Sequence, residues 1–559
     1  MPESIVFGPP LEEEQGVGAT TLAGFIQEVT QRYAANEALA YQDDSGQISR
    51  WSYQQLSEQS MQVARALLAG GLVKGTRVGI LMDNRLEWVS AFFGVTLAGG
   101  VAVPLSTFAT PRELDYFIRQ SDMGVLLMAA RVARQDFIQD LLGLCPELSE
   151  GAAGNLQLTT FPSLRRVVAI GKDADDSGIE AWDDFLLQAE HVTPEFAQAV
   201  AATVCPADEA VVFFSSGSTA LPKGIIHNHH AAALQCWRWA RLLELEPGVR
   251  SWTPNGFFWS GNFAVLLAST LAVGGCVVLQ GFFKPEKALK LMESERISYP
   301  FVWPHQMASL EEDPTFLQVD LSAIRYVDPS WCFAQHPTVS HTGWRYPSNS
   351  FGCSETFTIN CSYPSSTPDD VRGDSHGIPM PGNTLRIIDP LTGAPMPLGE
   401  RGEICIKGPT LMRGYLRTPL GESLDSEGFY RTGDGGCIDE QGRLCWEGRL
   451  SDVIKTGGAN VSPVEVDTVI KEYPGIKAAH TVGVPHDTLG ELVVACIVAM
   501  EGQQILEDAL HEFLKERLAN YKLPKHILFF DEEELSFTAN AKIRVDALRE
   551  LAAQRIAPG

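Results

Sequence analysis

Apolar positions along this chain change their period several times, and each change marks an element. From Glu58 to Ala69 they recur every three or four residues, the spacing of one helix face, whereas Arg77-Val78-Gly79-Ile80-Leu81 is a short apolar run of the kind a buried strand needs. A further helical pattern leads into Gly99-Gly100-Val101-Ala102-Val103-Pro104-Leu105, which reads as another strand. This alternation, running from about Leu22 to Leu127, predicts a mainly parallel sheet covered by helices on both faces. The stretch from Glu147 to Val204, rich in Gly, Ala, Asp and Thr, predicts a surface excursion between subdomains, after which the alternation resumes. Beyond Gly377 the texture shifts to short strands with turns, as in Leu385-Arg386-Ile387-Ile388-Asp389 and Glu403-Ile404-Cys405-Ile406-Lys407, which predicts an antiparallel β subdomain. A hairpin follows from Cys437 to Trp446, turned at Gln441-Gly442. From Gly448 onward, short α and β patterns fill a tail of about a hundred residues, a usual size for a separate domain.

Length and charge narrow the picture. A chain of 559 residues with 45% hydrophobic residues exceeds one compact core and predicts roughly two to four domains. Its 43 basic and 69 acidic residues give a formal charge of -26, which repels a nucleic-acid backbone and an anionic membrane surface. An anionic ligand therefore needs a local site. The eleven cysteines are scattered without a Cys-x-x-Cys pair, arguing against a zinc site or a disulfide framework. Met1-Pro2-Glu3-Ser4-Ile5 is not the start of a targeting segment, and no apolar run is long enough to span a bilayer, so the expectation is a cytoplasmic protein without integral membrane association. Oligomeric state is not legible in the pattern.

One segment points to chemistry. The apolar run Ala210-Val211-Val212-Phe213-Phe214 feeds directly into Ser215-Ser216-Gly217-Ser218-Thr219-Ala220-Leu221-Pro222-Lys223-Gly224. Small residues let backbone approach a polyphosphate, hydroxyls and amide N–H groups donate to its oxygens, and a lysine supplies charge. The loop is not a Walker A motif: counted from Gly217, the second glycine falls on Pro222 and the Ser/Thr after lysine on Gly224. Taken alone, a Ser/Gly-rich surface turn with a chance lysine stays open.

The segment resembles the phosphate loop of the adenylate-forming superfamily of acyl-CoA synthetases, luciferases and adenylation domains, with Ala220 where the family usually has glycine and Ser215 where it has threonine. Other segments carry the resemblance in the family's order. Phe351-Gly352-Cys353-Ser354-Glu355-Thr356 resembles the aromatic-Gly-x-Thr-Glu segment, Tyr430-Arg431-Thr432-Gly433-Asp434 the ribose-binding one, and Gly448-Arg449-Leu450-Ser451-Asp452 the hinge, followed by Gly457-Gly458. Near the end, Thr538-Ala539-Asn540-Ala541-Lys542-Ile543 resembles the closing segment with its catalytic lysine, Ala541 replacing a glycine.

The resemblance implies an α/β fold: a large N-terminal region of two helix-covered, mainly parallel sheets plus a small β-barrel-like subdomain (residues 1–448), and a small mobile α+β C-terminal domain (449–559). It implies ATP bound by Ser215, Ser216, Gly217, Ser218, Thr219, Lys223, Phe351, Gly352, Ser354, Asp434 and Arg449. Phe351 would stack on adenine and Asp434 would accept from both ribose hydroxyls. Thr219 and Glu355 would hold Mg2+, Lys542 would act with them in adenylate formation, and Gly457 and Gly458 would line the path of coenzyme A. The implied reaction joins a carboxylic acid to coenzyme A through an acyl-adenylate, with pyrophosphate released. Transfer to a carrier-protein thiol or an amine is the alternative, as is a degenerate paralogue without turnover, since Ala220, Ala541 and Asp328-Pro329-Ser330 depart from the family. An acyl pocket would involve Phe258 and Trp259, in the aromatic segment Pro254 to Gly261, and Trp331, which follows a strand-like stretch from Ser322 to Val327. These aromatics suit an apolar acid, although such aromatics are more often plain core. The histidines of His227-Asn228-His229-His230 have no carboxylate or cysteine spaced to complete a metal site.

Overall fold

The computed structural model describes residues 3–556 apart from 173–177, 216–221, 341–342, 348, 420–421, 457–458, 487–488, 501, 504, 519–521 and 536–542. Six clusters of buried apolar residues form its cores among the described residues. The largest lies between two sheets, and the helix Leu86–Leu97 shows why: all of its residues but Glu87 are buried, so it has no solvent face. Gly94 on that helix allows the helix Tyr53–Ala69 to lie close, since a Cβ there would stand 2.6 Å from Val63. Helix starts follow local chemistry. Ser52 and Gln55 form a capping box at Tyr53, and Thr110 and Glu113 form another ahead of Pro111.

The eight-stranded sheet runs in the order Glu180–Ala181, Arg166–Ile170, Val125–Ala129, Arg77–Leu81, Val101–Pro104, Glu209–Ser215, Lys223–Asn228 and Gly414–Tyr415. Its first six strands are parallel and the last two are added antiparallel. A second sheet, in the order Tyr299–Pro300, Arg250–Trp252, Cys276–Gln280, Glu37–Gln42 and Ile48–Ser52, is parallel except for its last pair. Two mainly parallel sheets are thus present as expected, with two local corrections. The stretch from Glu147 to Val204 is not merely a surface excursion, because the buried Arg166–Ile170 enters the large sheet beside Val125–Ala129. Ser322 to Val327 forms no strand; Arg325 and Tyr326 donate their backbone N–H groups to the Ser298 carbonyl instead.

The third sheet is wholly antiparallel: Ile5–Phe7, Thr384–Ile388, Gly402–Lys407, Tyr430–Ile438 and Leu444–Arg449. It is an open five-stranded sheet and not a closed barrel, since Ile5–Phe7 and Leu444–Arg449 remain its two edges. The C-terminal domain is separate, with cores of its own built from Ile454 to Ile556. Its sheet joins Ala459–Val461, Ile454–Thr456, Gly490–Ala499 and Ile476–His486, and His526–Phe529 also pairs with Gly490–Ala499. Among the described residues no helix is long and apolar enough to cross a membrane.

Candidate active site

Strand pairing brings the candidate residues together at the end of the large sheet. Ser215 lies opposite Lys223 in the hairpin that carries the predicted phosphate loop. Between them, Ser216, Gly217, Ser218, Thr219 and Ala220 lie outside the described residues. Pairing of Gly414–Tyr415 with Lys223–Asn228 sets Tyr415 opposite Ile225, and the exposed Lys223 then places its ammonium 4.9 Å from the centre of the Tyr415 ring. The Tyr415 hydroxyl donates to Glu355 Oε1 at 2.8 Å and lies 3.0 Å from the Tyr430 hydroxyl. Burial raises the phenol pKa of both tyrosines, and the Glu355 carboxylate adds to the shift, so both remain neutral donors.

Glu355 is itself held by backbone. Gly352 has no room for a side chain, because a Cβ would stand 1.8 Å from the Thr358 carbonyl oxygen. The chain then makes a short turn, Ser354–Thr356, in which Met412 N donates to the Glu355 carbonyl at 2.7 Å. His227 Nε2 donates to the Ser354 carbonyl at 2.7 Å, tying this turn to the strand Lys223–Asn228. Phe351 is only 5% exposed and belongs to the apolar cluster of Leu385, Ile387, Ile404 and Ile406. Its ring therefore lies in the core of the third sheet.

The third sheet supplies the other half of the site. Asp434 and Arg449 are direct partners across the strands Tyr430–Ile438 and Leu444–Arg449. Arg449 Nε stands 3.1 Å from Asp434 Oδ1, while its Nη1 donates to the Thr432 carbonyl at 2.6 Å. Asp434 is buried and Arg449 half exposed, so the pair offers a fixed carboxylate beside a reachable cation. Burial raises the carboxyl pKa of Asp434, and the Arg449 charge opposes that rise. Lys223, Tyr415, Glu355 and Tyr430 thus form one run of polar groups, and Asp434 and Arg449 a second pair.

Burial also lowers the pKa of His227 and of His229 to about 4. His229 Nδ1 accepts from Leu22 N at 3.2 Å, and no group of three or more His, Cys, Asp or Glu side chains able to hold a metal occurs among the described residues. Since the folded values lie below the unfolded value near 6.5, the unfolded chain takes up protons first. The stabilising effect of the neutral rings is complete above pH ~6.5 and falls as the pH drops towards 4, by up to about 3 kcal/mol per histidine. In His227→Phe the melting temperature is expected to fall less steeply over this window than in the wild type; an unchanged slope would exclude His227 as a contributor.

Phe258 and Trp259 lie 4.5 Å apart in a chain of rings that continues to Trp303 at 4.6 Å and to the exposed Phe108 at 6.3 Å, both measured from Trp259. Trp331 does not join them. It packs with the buried Trp344 and the partly buried Tyr346 at 6.0 and 5.7 Å, within the largest core. Gly457, Gly458, Ala541 and Lys542 lie outside the described residues.

Residues 26–416 match the family model described as AMP-binding enzyme, and residues 465–542 match that of the AMP-binding enzyme C-terminal domain. The chain belongs to the AMP-binding enzyme family. Among curated relatives of this AMP-binding enzyme, an octahydroindenyl-propanoyl:CoA ligase of Rhodococcus jostii is 28% identical, the match covering 90% of this chain and 94% of that one. A mitochondrial medium-chain acyl-CoA ligase of Danio rerio is 25% identical, over 95% of this chain and 88% of that one. In fold, the AMP-binding enzyme resembles the anthranilate CoA ligase AuaEII solved with anthranoyl-AMP, with a TM-score of 0.78 and 24% identity, covering 98% of this chain and 100% of that one.

Sequence reasoning did not single out three residues that organise this AMP-binding enzyme's candidate site. Tyr430 opens the Tyr430-Arg431-Thr432-Gly433-Asp434 segment and His227 opens the histidine cluster after the loop, but neither was given a role in the site. Tyr415 carries no local signal, because its place depends on a strand pairing far along the chain.

Proposed function

We propose that this AMP-binding enzyme is an ATP-dependent carboxylic acid:CoA ligase that forms an acyl-adenylate with release of pyrophosphate, then an acyl-CoA thioester. The observation that carries the reading is the run of Lys223, Tyr415, Glu355 and Tyr430 together with the Asp434–Arg449 pair, the phosphate loop, Glu355, Asp434 and Arg449 following one another in the family's order. In the first step a carboxylate oxygen attacks the α-phosphorus of ATP and pyrophosphate leaves. Anion meets anion, so neutralising charge and holding the partners in line are the main tasks. Lys223 and the loop from Ser215 to Thr219 bind the phosphates, Asp434 accepts from the ribose hydroxyls, Arg449 holds Asp434, and Lys542 meets the carboxylate and α-phosphate.

Among the described residues, Glu355 is one oriented carboxylate and not part of a cage. That suits magnesium, which takes much of its coordination from phosphates and water. Bound with the nucleotide between Glu355 and the Thr219 region, the ion would neutralise phosphate charge. In the second step the coenzyme A thiol, its arm passing Gly457 and Gly458, attacks the acyl carbonyl and AMP leaves. The two steps need different faces of the C-terminal domain, which supports a division at Arg449 and movement about Arg449-Leu450-Ser451. We place the reaction in the cytoplasm. Phe108, Phe258, Trp259 and Trp303 favour an apolar acid.

A screen of fatty, aryl, terpenoid and steroid side-chain acids with ATP, magnesium and coenzyme A, read by mass spectrometry, tests the proposal. The expected result is an acyl-CoA thioester with stoichiometric pyrophosphate from an apolar acid. Product with a carrier-protein thiol or an amine, but none with coenzyme A, would overturn the choice of acceptor.

A further inference from the structure

The hairpin that carries Asp434 and Arg449 also carries two cysteines that the proposed chemistry does not use. Cys437 and Cys445 are direct cross-strand partners, one register step from Ile438 and Leu444. Residues so placed in an antiparallel pair share a face, with Cα atoms about 4.5–5.5 Å apart, which falls within the ~4.4–6.8 Å span that a disulfide bridges. Both side chains are partly exposed, whereas Cys145, Cys236, Cys276, Cys361, Cys405 and Cys496 are buried. No other two cysteines among the described residues face each other in strand register. The interaction between the two thiols lowers the pKa of Cys445 and raises that of Cys437. An attacking thiol and a resolving thiol therefore stand side by side across the hairpin.

We propose that Cys437 and Cys445 are a reversible oxidation site at which disulfide formation disables the Asp434–Arg449 pair. The oxidant is a low-molecular-weight disulfide of the glutathione class. The Cys445 thiolate attacks one of its sulfurs, forming a mixed disulfide and expelling one glutathione thiolate. Cys437 then loses its proton to solvent and attacks the Cys445 sulfur, expelling the second glutathione thiolate. Two protein thiols are oxidised to one disulfide and one glutathione disulfide is reduced to two thiols, so the exchange balances. The strand register shifts between Gly435 and Gly436, between Cys437 and Asp434, so this is where the hairpin can yield when the cysteines are drawn together. Asp434 then moves relative to Arg449, and the ribose contact is lost.

The test incubates the full chain, with Cys205→Ser to remove the exposed bystander thiol, in oxidised glutathione. It is followed by alkylation and non-reducing tryptic digestion. Cleavage at Arg431, Arg443 and Arg449 separates the two cysteines, so the disulfide appears as residues 432–443 linked to residues 444–449, lighter by two hydrogens than the separate peptides. The expected result is this linked pair, with pyrophosphate release lost in parallel and restored by dithiothreitol. Cys445→Ser stays active and unaffected by the oxidant, and Cys437→Ser stops at the mixed disulfide. Separately alkylated peptides after prolonged oxidation would overturn the site, and a linked pair with undiminished pyrophosphate release would overturn its effect on Asp434. The peptide readout needs no turnover, so its failure is distinct from failure of the ligase reading.

Discussion

Lys542→Ala is expected to lose pyrophosphate release almost completely while leaving thioester formation from a supplied acyl-adenylate near the wild-type rate. The reasoning is electrostatic. As the carboxylate approaches the α-phosphate, negative charge concentrates where no other lysine is proposed to reach, and removing one such stabilising donor costs roughly 10²–10³ in rate, or ~3–4 kcal/mol. The adenylate already contains the bond that Lys542 helps to make, so the second half-reaction does not need it. Rapid-quench assays of the two half-reactions, run separately, measure this split. Equal losses in both would show that Lys542 supports the fold or the closing motion and not adenylate formation. Release at the wild-type rate would remove it from the chemistry.

The second large effect is expected at Asp434. Hydrogen bonds to a charged group contribute about 1.5–3 kcal/mol each, so Asp434→Ala, which loses acceptance from two ribose hydroxyls, is expected to raise the KM for ATP by about two orders of magnitude. The wild type should prefer ATP to 2′-deoxy-ATP, and the variant should not distinguish them. Arg449 is half exposed, so water can solvate its freed guanidinium and the fold survives the change. A variant that retains full discrimination between the two nucleotides would show that the ribose is held elsewhere. Steady-state kinetics with both nucleotides decides.

Much of the frame was legible because buried strands must be short apolar runs. Arg77–Leu81 was read with its actual limits, and Thr384–Ile388 and Gly402–Lys407 within a residue or so. Arg166–Ile170 escaped because its surroundings, full of Gly, Ala, Asp and Thr, look like a loop, although Val167, Val168 and Ala169 are as buried as any strand. The candidate site was legible where chemistry is local. Asp434 and Arg449 lie in neighbouring motifs and meet because the intervening hairpin folds as its Gln441-Gly442 turn predicts. Tyr415 was not, since no local pattern states which strand will lie beside Lys223–Asn228. For Phe351 the resemblance implied stacking on adenine, and local pattern did not show that its ring packs in the core of the third sheet.

The edge strand Ile5–Phe7 sets an order of events during synthesis. Ile5 pairs with Arg386, so this strand has no partner until nearly all of the large domain has been made. The helix-covered sheets can begin to settle earlier, and the sheet bearing Asp434 and Arg449 gains its outer strand late. A fusion or shortened chain that displaces Ile5–Phe7 would leave the backbone groups of Thr384–Ile388 open along an unprotected edge, where the expected symptom is self-association during expression.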